Sequence, residues 1–323
     1  MAAHRYWRLW IRTTSVGSYV CISELDFRAT IGGSDQCAGG TAIESGHYPT
    51  LDAARAFDND AETDWGVDVY SAPAYLGYDF GADNDKEVEE VMVKARAYTN
   101  DGPSDFTLEY SDDGTTWYSK IHFFNQAAFT AAYQEKTYNY TNTNAIVGVN
   151  RAPSTSASLT TPSPYVISCS SNHSSFPCWL AFDGNYTTQW ITNGSPTGWI
   201  KIDRADGNEA KVSKLVIRAS DTNRAPNDFT LKGSNDDTNW TTISTQTDQS
   251  SWAAGELRYF DCTDSTEYRY FMLDVTANNG DASYLQISDI FLIEVIGASG
   301  RTTKNARSNP LGTNTGMALR MNQ

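Results

Sequence analysis

The chain lacks long hydrophobic runs: nowhere do ~20 consecutive apolar residues occur, so membrane insertion is not expected. Histidine is scarce. His4, His47, His122 and His173 are the complete set, and none sits in a nucleophile motif. There is no glycine-rich phosphate loop, and no segment carries a capped 3.6-residue period. No catalytic residue set is legible, so the chain reads as a non-enzyme. Basic charge is also short. Lys and Arg number 24 against 39 Asp and Glu, a net charge of −15. That field repels nucleic acid and anionic membrane surfaces, so neither is an expected partner. Cysteine is limited to Cys21, Cys37, Cys169, Cys178 and Cys262. The odd count leaves at least one unpaired. The spacing is not that of a zinc site, and small buried or loop thiols of a reducing compartment are favoured, although Cys169 and Cys178 could close a short loop. The N-terminus has no charged stretch followed by an apolar core, so no secretory signal is expected.

What is present is repetition. Ala54-Arg55-Ala56-Phe57-Asp58-Asn59-Asp60-Ala61-Glu62-Thr63-Asp64-Trp65 returns 125 residues later as Trp179-Leu180-Ala181-Phe182-Asp183-Gly184-Asn185-Tyr186-Thr187-Thr188-Gln189-Trp190. Asp105-Phe106-Thr107-Leu108-Glu109-Tyr110-Ser111-Asp112-Asp113-Gly114-Thr115-Thr116-Trp117 returns 123 residues later, from Asp228 to Trp240. A third pair breaks the order. Arg5-Tyr6-Trp7-Arg8-Leu9 with Ile22-Ser23-Glu24-Leu25 leads the first copy; Arg269-Tyr270-Phe271-Met272-Leu273 with Ile287-Ser288-Asp289-Ile290 closes the second. Units of this size are complete domains, too large for solenoid repeats, and one is circularly permuted relative to the other.

Alternation then supplies the strands. Trp7, Leu9 and Ile11 face one way and Tyr6, Arg8, Trp10 and Arg12 the other. Short apolar runs recur at 76–80, 91–96, 106–110, 199–203, 215–218, 229–231 and 291–295, separated by turn chemistry such as Ser111-Asp112-Asp113-Gly114. The expected organisation is a β-sandwich over 1–140, a Thr/Ser/Asn/Pro-rich linker over 141–164, a second β-sandwich over 165–296 and a tail over 297–323. The tail carries Arg301, Lys304, Arg307 and Arg320 and no acid, which predicts that it docks on an acidic neighbouring subunit. Trp65, Trp117, Trp190 and Trp240 recur at matched positions and are expected in the cores.

The three repeated blocks resemble the discoidin, or coagulation factor 5/8 type C, superfamily, including the family 32 carbohydrate-binding modules. The resemblance covers both units. It implies an all-β protein of two tandem antiparallel jelly-roll sandwiches of the galactose-binding-domain type, the first permuted. It also implies end loops that bind glycans and a structural calcium ion. Carried over residue by residue, the ion's ligands are Glu24, Asp58, Asp60 and Thr63 in the first unit. In the second they are Asp183, Thr188 and Asp289, with Asn185 in place of the second Asp. Calcium takes six to eight hard oxygens, which such loops supply.

Glycan binding needs an aromatic platform beside planar hydrogen-bonding groups. On the end loops the candidates are Tyr19, His47, Tyr48, Arg96, Tyr98 and Asn100 in the first unit. In the second they are His173, Phe176, Arg218, Asn223, Arg224, Trp252 and Tyr284. Tyr19 aligns with Tyr284, and Arg96 is aligned with Arg218.

The permuted arrangement and basic tail also resemble bacteriophage virion proteins carrying such modules on a tail, baseplate or capsid surface. The expectation is a non-catalytic, multi-copy or homo-oligomeric virion protein, assembled in the bacterial host cytoplasm. It would hold host-surface glycan by avidity and neighbouring virion subunits through 297–323. A decoration or connector protein without sugar binding, and a polysaccharide depolymerase, are the rival readings.

Overall fold

The structure, a computed structural model, describes residues 3–14, 19–69, 73–142, 144–153, 156–161 and 163–295. The basic segment 297–323 and its expected docking role lie outside these residues. Among them there is no α-helix; strands dominate, with one-turn 3₁₀ helices at Ala53–Ala56 and Cys178–Phe182. The expected all-β class is what is found.

Two apolar cores form. The first is built on Trp7, Leu9, Ile11, Trp65, Phe106 and Phe123, among others. It lies between strands Thr41–Glu44, Ala74–Asp79, Tyr6–Thr14, Pro103–Ser111 and Tyr118–Phe123 and a three-stranded sheet of Glu24–Arg28, Glu90–Lys94 and Glu135–Asn139. The second is built on Trp190, Ile200, Leu215, Phe229, Trp252 and Phe271, among others. It lies between a five-stranded sheet, in order Val166–Cys169, Gly198–Asp203, Tyr270–Asn278, Pro226–Ser234 and Thr241–Gln246, and strands Leu257–Asp261, Lys214–Arg218 and Asp289–Val295. All the pairings are antiparallel.

The permuted segments occupy like positions. Tyr6–Thr14 sits between Ala74–Asp79 and Pro103–Ser111; Tyr270–Asn278 sits between Gly198–Asp203 and Pro226–Ser234. Arg5 Nε holds Asp79 at 2.7 Å, and Arg269 Nε holds Asp203 at 2.7 Å. Trp65 Nε1 donates to Gly46 O at 3.2 Å, and Trp190 Nε1 to Ser171 O at 2.9 Å. Both indoles are fully buried, as expected from their repetition. Trp117 and Trp240 are only half-buried, because each follows the turn that joins two paired strands; Trp117 lies instead under the Arg8 guanidinium at 3.8 Å.

Residues 141–164 are not simply a linker. Ala145–Asn150 is a strand that pairs with Tyr118–Phe123 on one side and Asp289–Val295 on the other. It joins the five strands of the first core to the three of the second in one nine-stranded sheet. Gly148 permits the join: a Cβ there would collide with the Glu294 carbonyl. Phe124, Ile146, Val216, Leu257, Phe291 and Ile293 form a third, smaller core at this junction. The expected outward face of Tyr6–Thr14 is therefore covered at its far end. Arg12 is 1 % exposed, with its guanidinium 5.0 Å from the Phe291 ring. All five cysteines are free thiols.

Candidate functional site

The acidic loops come first, because local sequence dictates them. Each follows a 3₁₀ turn. Asp58 Oδ1 accepts the Asp60 N–H at 2.9 Å and its Oδ2 the Thr63 hydroxyl at 2.8 Å. Asp183 does the same with the Asn185 N–H at 2.8 Å and the Thr188 hydroxyl at 2.7 Å. These are Asx turns, in which a short carboxylate satisfies its own loop. Strand Glu24–Arg28 carries Glu24 to the first loop. Glu24 is 7 % exposed, its Oε1 has no hydrogen-bond partner, and burial together with the Asp58 charge pushes its carboxyl up to about 7. A buried carboxylate with an orphaned oxygen facing a second carboxylate and a hydroxyl is a donor set that fits a hard cation. Asp60 turns Oδ1 to the Glu62 N–H at 3.0 Å, so that oxygen is spent on the loop itself. Among the described residues no cluster of three or more His, Cys, Asp and Glu is assembled.

The second loop differs at the position that matters. Asp183 is also pushed up to about 7, mainly by burial and in part by Asp289. Asp289, however, is already neutralised: its Oδ2 accepts Arg218 Nε at 3.1 Å. The carboxylate that the expectation made a metal ligand is thus already paired with a guanidinium, which lowers its value as a donor to a cation. The register gives the reason. Arg218 lies opposite Asp289 as Lys94 lies opposite Glu24, and Lys94 turns away to Glu135 at 3.0 Å. The same register corrects the alignment of Arg218, whose counterpart is Lys94 and not Arg96.

Two sugar-contact candidates are thereby removed. Arg218 is 3 % exposed, and besides Asp289 it donates to Asp105 Oδ2 at 2.6 Å and Gly255 O at 3.0 Å. Trp252 is 2 % exposed, its indole N–H spent on Pro226 O at 2.9 Å and its ring covered by Arg258 at 4.1 Å. The loop folds this large ring inward because its apolar area is worth more in the core than in water.

Four other candidates converge at one end of the second core. The His173 ring lies 5.5 Å from Phe176 and 6.5 Å from Tyr284, centroid to centroid, and the Arg224 guanidinium lies 5.0 Å from the Tyr284 ring. Arg224 Nε donates to Asp281 Oδ2 at 2.8 Å and Nη1 to Gln286 Oε1 at 3.2 Å. Asp281 Oδ1 accepts the Ser283 and Tyr284 N–H groups at 2.8 and 2.9 Å. One carboxylate thus shapes the loop and orients the guanidinium, and that pairing holds the Asp281 carboxyl below the usual range. His173 Nδ1 accepts the Ser175 N–H at 3.4 Å, which leaves the neutral ring's proton on Nε2. Asn223 is exposed beside the cluster, its carbonyl accepting the Asp281 N–H at 3.2 Å. Asp281 and Gln286 were not foreseen; the signal lay in their closeness to Tyr284 along the chain.

In the first unit the candidates fall into smaller groupings. Tyr19 and Tyr48 are exposed with rings 5.4 Å apart. His47 Nδ1 meets Glu44 at 2.5 Å. Arg96 Nε donates to Asp101 at 2.9 Å, with its guanidinium 4.8 Å from the Tyr98 ring. Asn100 is exposed.

These features define a β-sandwich whose end loops carry an aromatic and guanidinium cluster. Residues 166–290, which include that cluster, match the F5/8 type C domain family. No curated protein matches the chain. Among solved structures, a family 32 carbohydrate-binding module of Clostridium perfringens, in complex with galactose, is similar at 17 % identity over 40 % of this chain and 93 % of that one, with a TM-score of 0.35. A chitosan-binding module from Paenibacillus is similar at 21 % identity over 45 % of this chain and 98 % of that one, also with a TM-score of 0.35.

Proposed function

We propose that the chain is a non-catalytic glycan-binding protein built of two F5/8 type C-like sandwiches, the first circularly permuted. The observation that carries the reading is the convergence of His173, Phe176, Arg224 and Tyr284 at one sandwich end, inside the segment that matches the family. Aromatic faces cover the apolar C–H face of a sugar ring, while Arg and His donate to its hydroxyls. The shared slots of Tyr6–Thr14 and Tyr270–Asn278 support duplication with permutation. Glu24, Asp58 and Thr63 would hold a structural calcium ion, whose charge would offset the buried carboxylates. Attachment of a virion to host-surface polysaccharide, with avidity from many copies, remains part of this proposal through the sequence resemblance.

A glycan array followed by surface-plasmon titration, with calcium present, tests the reading. Binding to at least one sugar is expected. Arg224→Ala and Tyr284→Ala should each weaken it tenfold or more, on the order of 1–2 kcal/mol, with unchanged circular dichroism. Absence of binding across the array would sink the proposal.

A further inference from the structure

We infer that the second sandwich binds a linear, neutral sugar chain rather than a single terminal sugar. The chain would run from the His173–Tyr284 cluster along an adjoining groove to Trp199. The inference rests on the glycan-binding reading and adds a second subsite to it.

The groove has a volume of ≈ 530 Å³, within the usual range of ligand sites, and is lined by Ser170, Ser195, Thr197, Trp199, Asp274 and Thr276 among others. It adjoins the cluster at Ser195, which lines the groove and pairs through its backbone with Tyr284. The Ser195 carbonyl accepts the Leu285 N–H at 3.1 Å. Gly198, also in the lining, has the inward parity of Ile200 and Ile202, and a Cβ there would meet Ser170 Oγ at 2.6 Å and buried Thr192 at 3.0 Å, so glycine lets the strand pack closely beneath the groove.

Trp199 is the unexpected residue. In Gly198–Asp203 the alternation buries Ile200 and Ile202, which turns Trp199 and Lys201 outward. A half-buried indole on an outward sheet face is apolar area held partly in water, with no strand or helix over it among the described residues. It supplies an aromatic wall of the groove, flanked by hydroxyls from four of the five other residues named. Such a surface suits the C–H face of a pyranose ring, with donors and acceptors at its rim. The face's charges are paired: Lys232 with Asp274 at 2.7 Å, and Lys201 with Asp237 at 2.7 Å. A charged sugar would therefore find no unmatched partner among these ions, and a neutral one loses nothing. Two aromatic surfaces separated by hydroxyl-bearing backbone can hold successive rings of one chain.

The test titrates the full chain with galactose, glucose and N-acetylglucosamine, and with the linear galacto-, cello- and chito-oligosaccharides built from them. Calorimetry gives affinity, and amide and indole N–H shifts give location. For the sugar that binds, affinity should rise about five- to tenfold from monomer to oligomer. Trp199→Ala should abolish that rise and leave monomer affinity unchanged. In the unsubstituted protein, which needs no variant to fold, the oligomer and not the monomer should shift the Trp199 indole and the Ser170 and Thr276 amides. A bound monomer whose oligomers bind no tighter, or a rise that survives Trp199→Ala, overturns the chain inference alone. No binding at any length overturns both it and the glycan reading.

Discussion

At the scale of the residue, Arg218 shows how one side chain changes meaning once its surroundings exist. In sequence it is an outward residue near an end loop, a reasonable sugar contact. In the fold it is buried between Asp105 of the first core and Asp289 of the second. Alternation reports which way a side chain points and is blind to what a second domain lays over it, which is why Arg12 and Arg218 are buried at the junction, whereas Trp252 is drawn into its own unit's core. Removing Arg218 leaves two carboxylates buried without their cation. Arg218→Ala should cost about 3–5 kcal/mol, read as a lowered urea midpoint, while the affinity of the folded protein for sugar stays unchanged. The counterpart Lys94→Ala should cost under about 1 kcal/mol, because its partner Glu135 is exposed. Equal costs for the two would mean that the junction ion cluster contributes nothing beyond a surface pair.

At the scale of the element, the strand Glu24–Arg28 and the loop Asp58–Thr63 form the unit that responds to a cation. The loops were legible because Asx turns depend on neighbours in sequence, and both copies repeat the same bonds. The divergence at Asp289 was not legible, since it depends on which residue the neighbouring strand sets opposite. The two sites should therefore behave differently. Calcium at about one hundred times its dissociation constant should stabilise the chain by about 3 kcal/mol. Chelation by EDTA should lower Tm accordingly. Glu24→Gln should remove most of the calcium response, and Asp183→Asn little of it. A Tm that ignores both calcium and EDTA would identify the first loop as a plain Asx turn. The strand Ala145–Asn150 escaped notice for a related reason. Only Ile146, Val147 and Val149 are β-prone, inside a window dominated by Thr, Ser, Asn and Pro, and the strand's partners on either side reveal its use.

At the scale of the whole molecule, the duplication was visible in the sequence and the joint between the halves was not. One nine-stranded sheet and a third apolar core make that joint, so the two sandwiches do not hang on a flexible tether. Their cores should melt together, and two separated calorimetric transitions would refute this. His122 gives the joint a pH dependence. It is buried against Phe124 and Phe291, contacts Thr107 at 3.0 Å, and lies near Arg12. Burial, with the Arg12 charge in addition, lowers its pKa from 6.5 to about 3. Between those values the unfolded chain takes up a proton that the folded chain refuses. Stability from the neutral imidazole is thus complete above pH ~6.5 and is lost as pH falls, at about 1.4 kcal/mol per unit. Asp105 adds to the loss at lower pH, since Arg218, the Asn125 N–H and Thr13 hold its carboxyl below the usual range. Urea titrations from pH ~7 to ~5 separate the two, because a carboxylate held low has barely begun to titrate there. Glu24 and Asp183, both pushed up to about 7, take up protons in the folded chain over the same interval and add stability as pH falls, so His122 is read as a difference: from pH ~7 to ~5 the stability of the unsubstituted chain should fall relative to that of His122→Gln. Parallel profiles would mean that His122 takes up its proton within the folded joint.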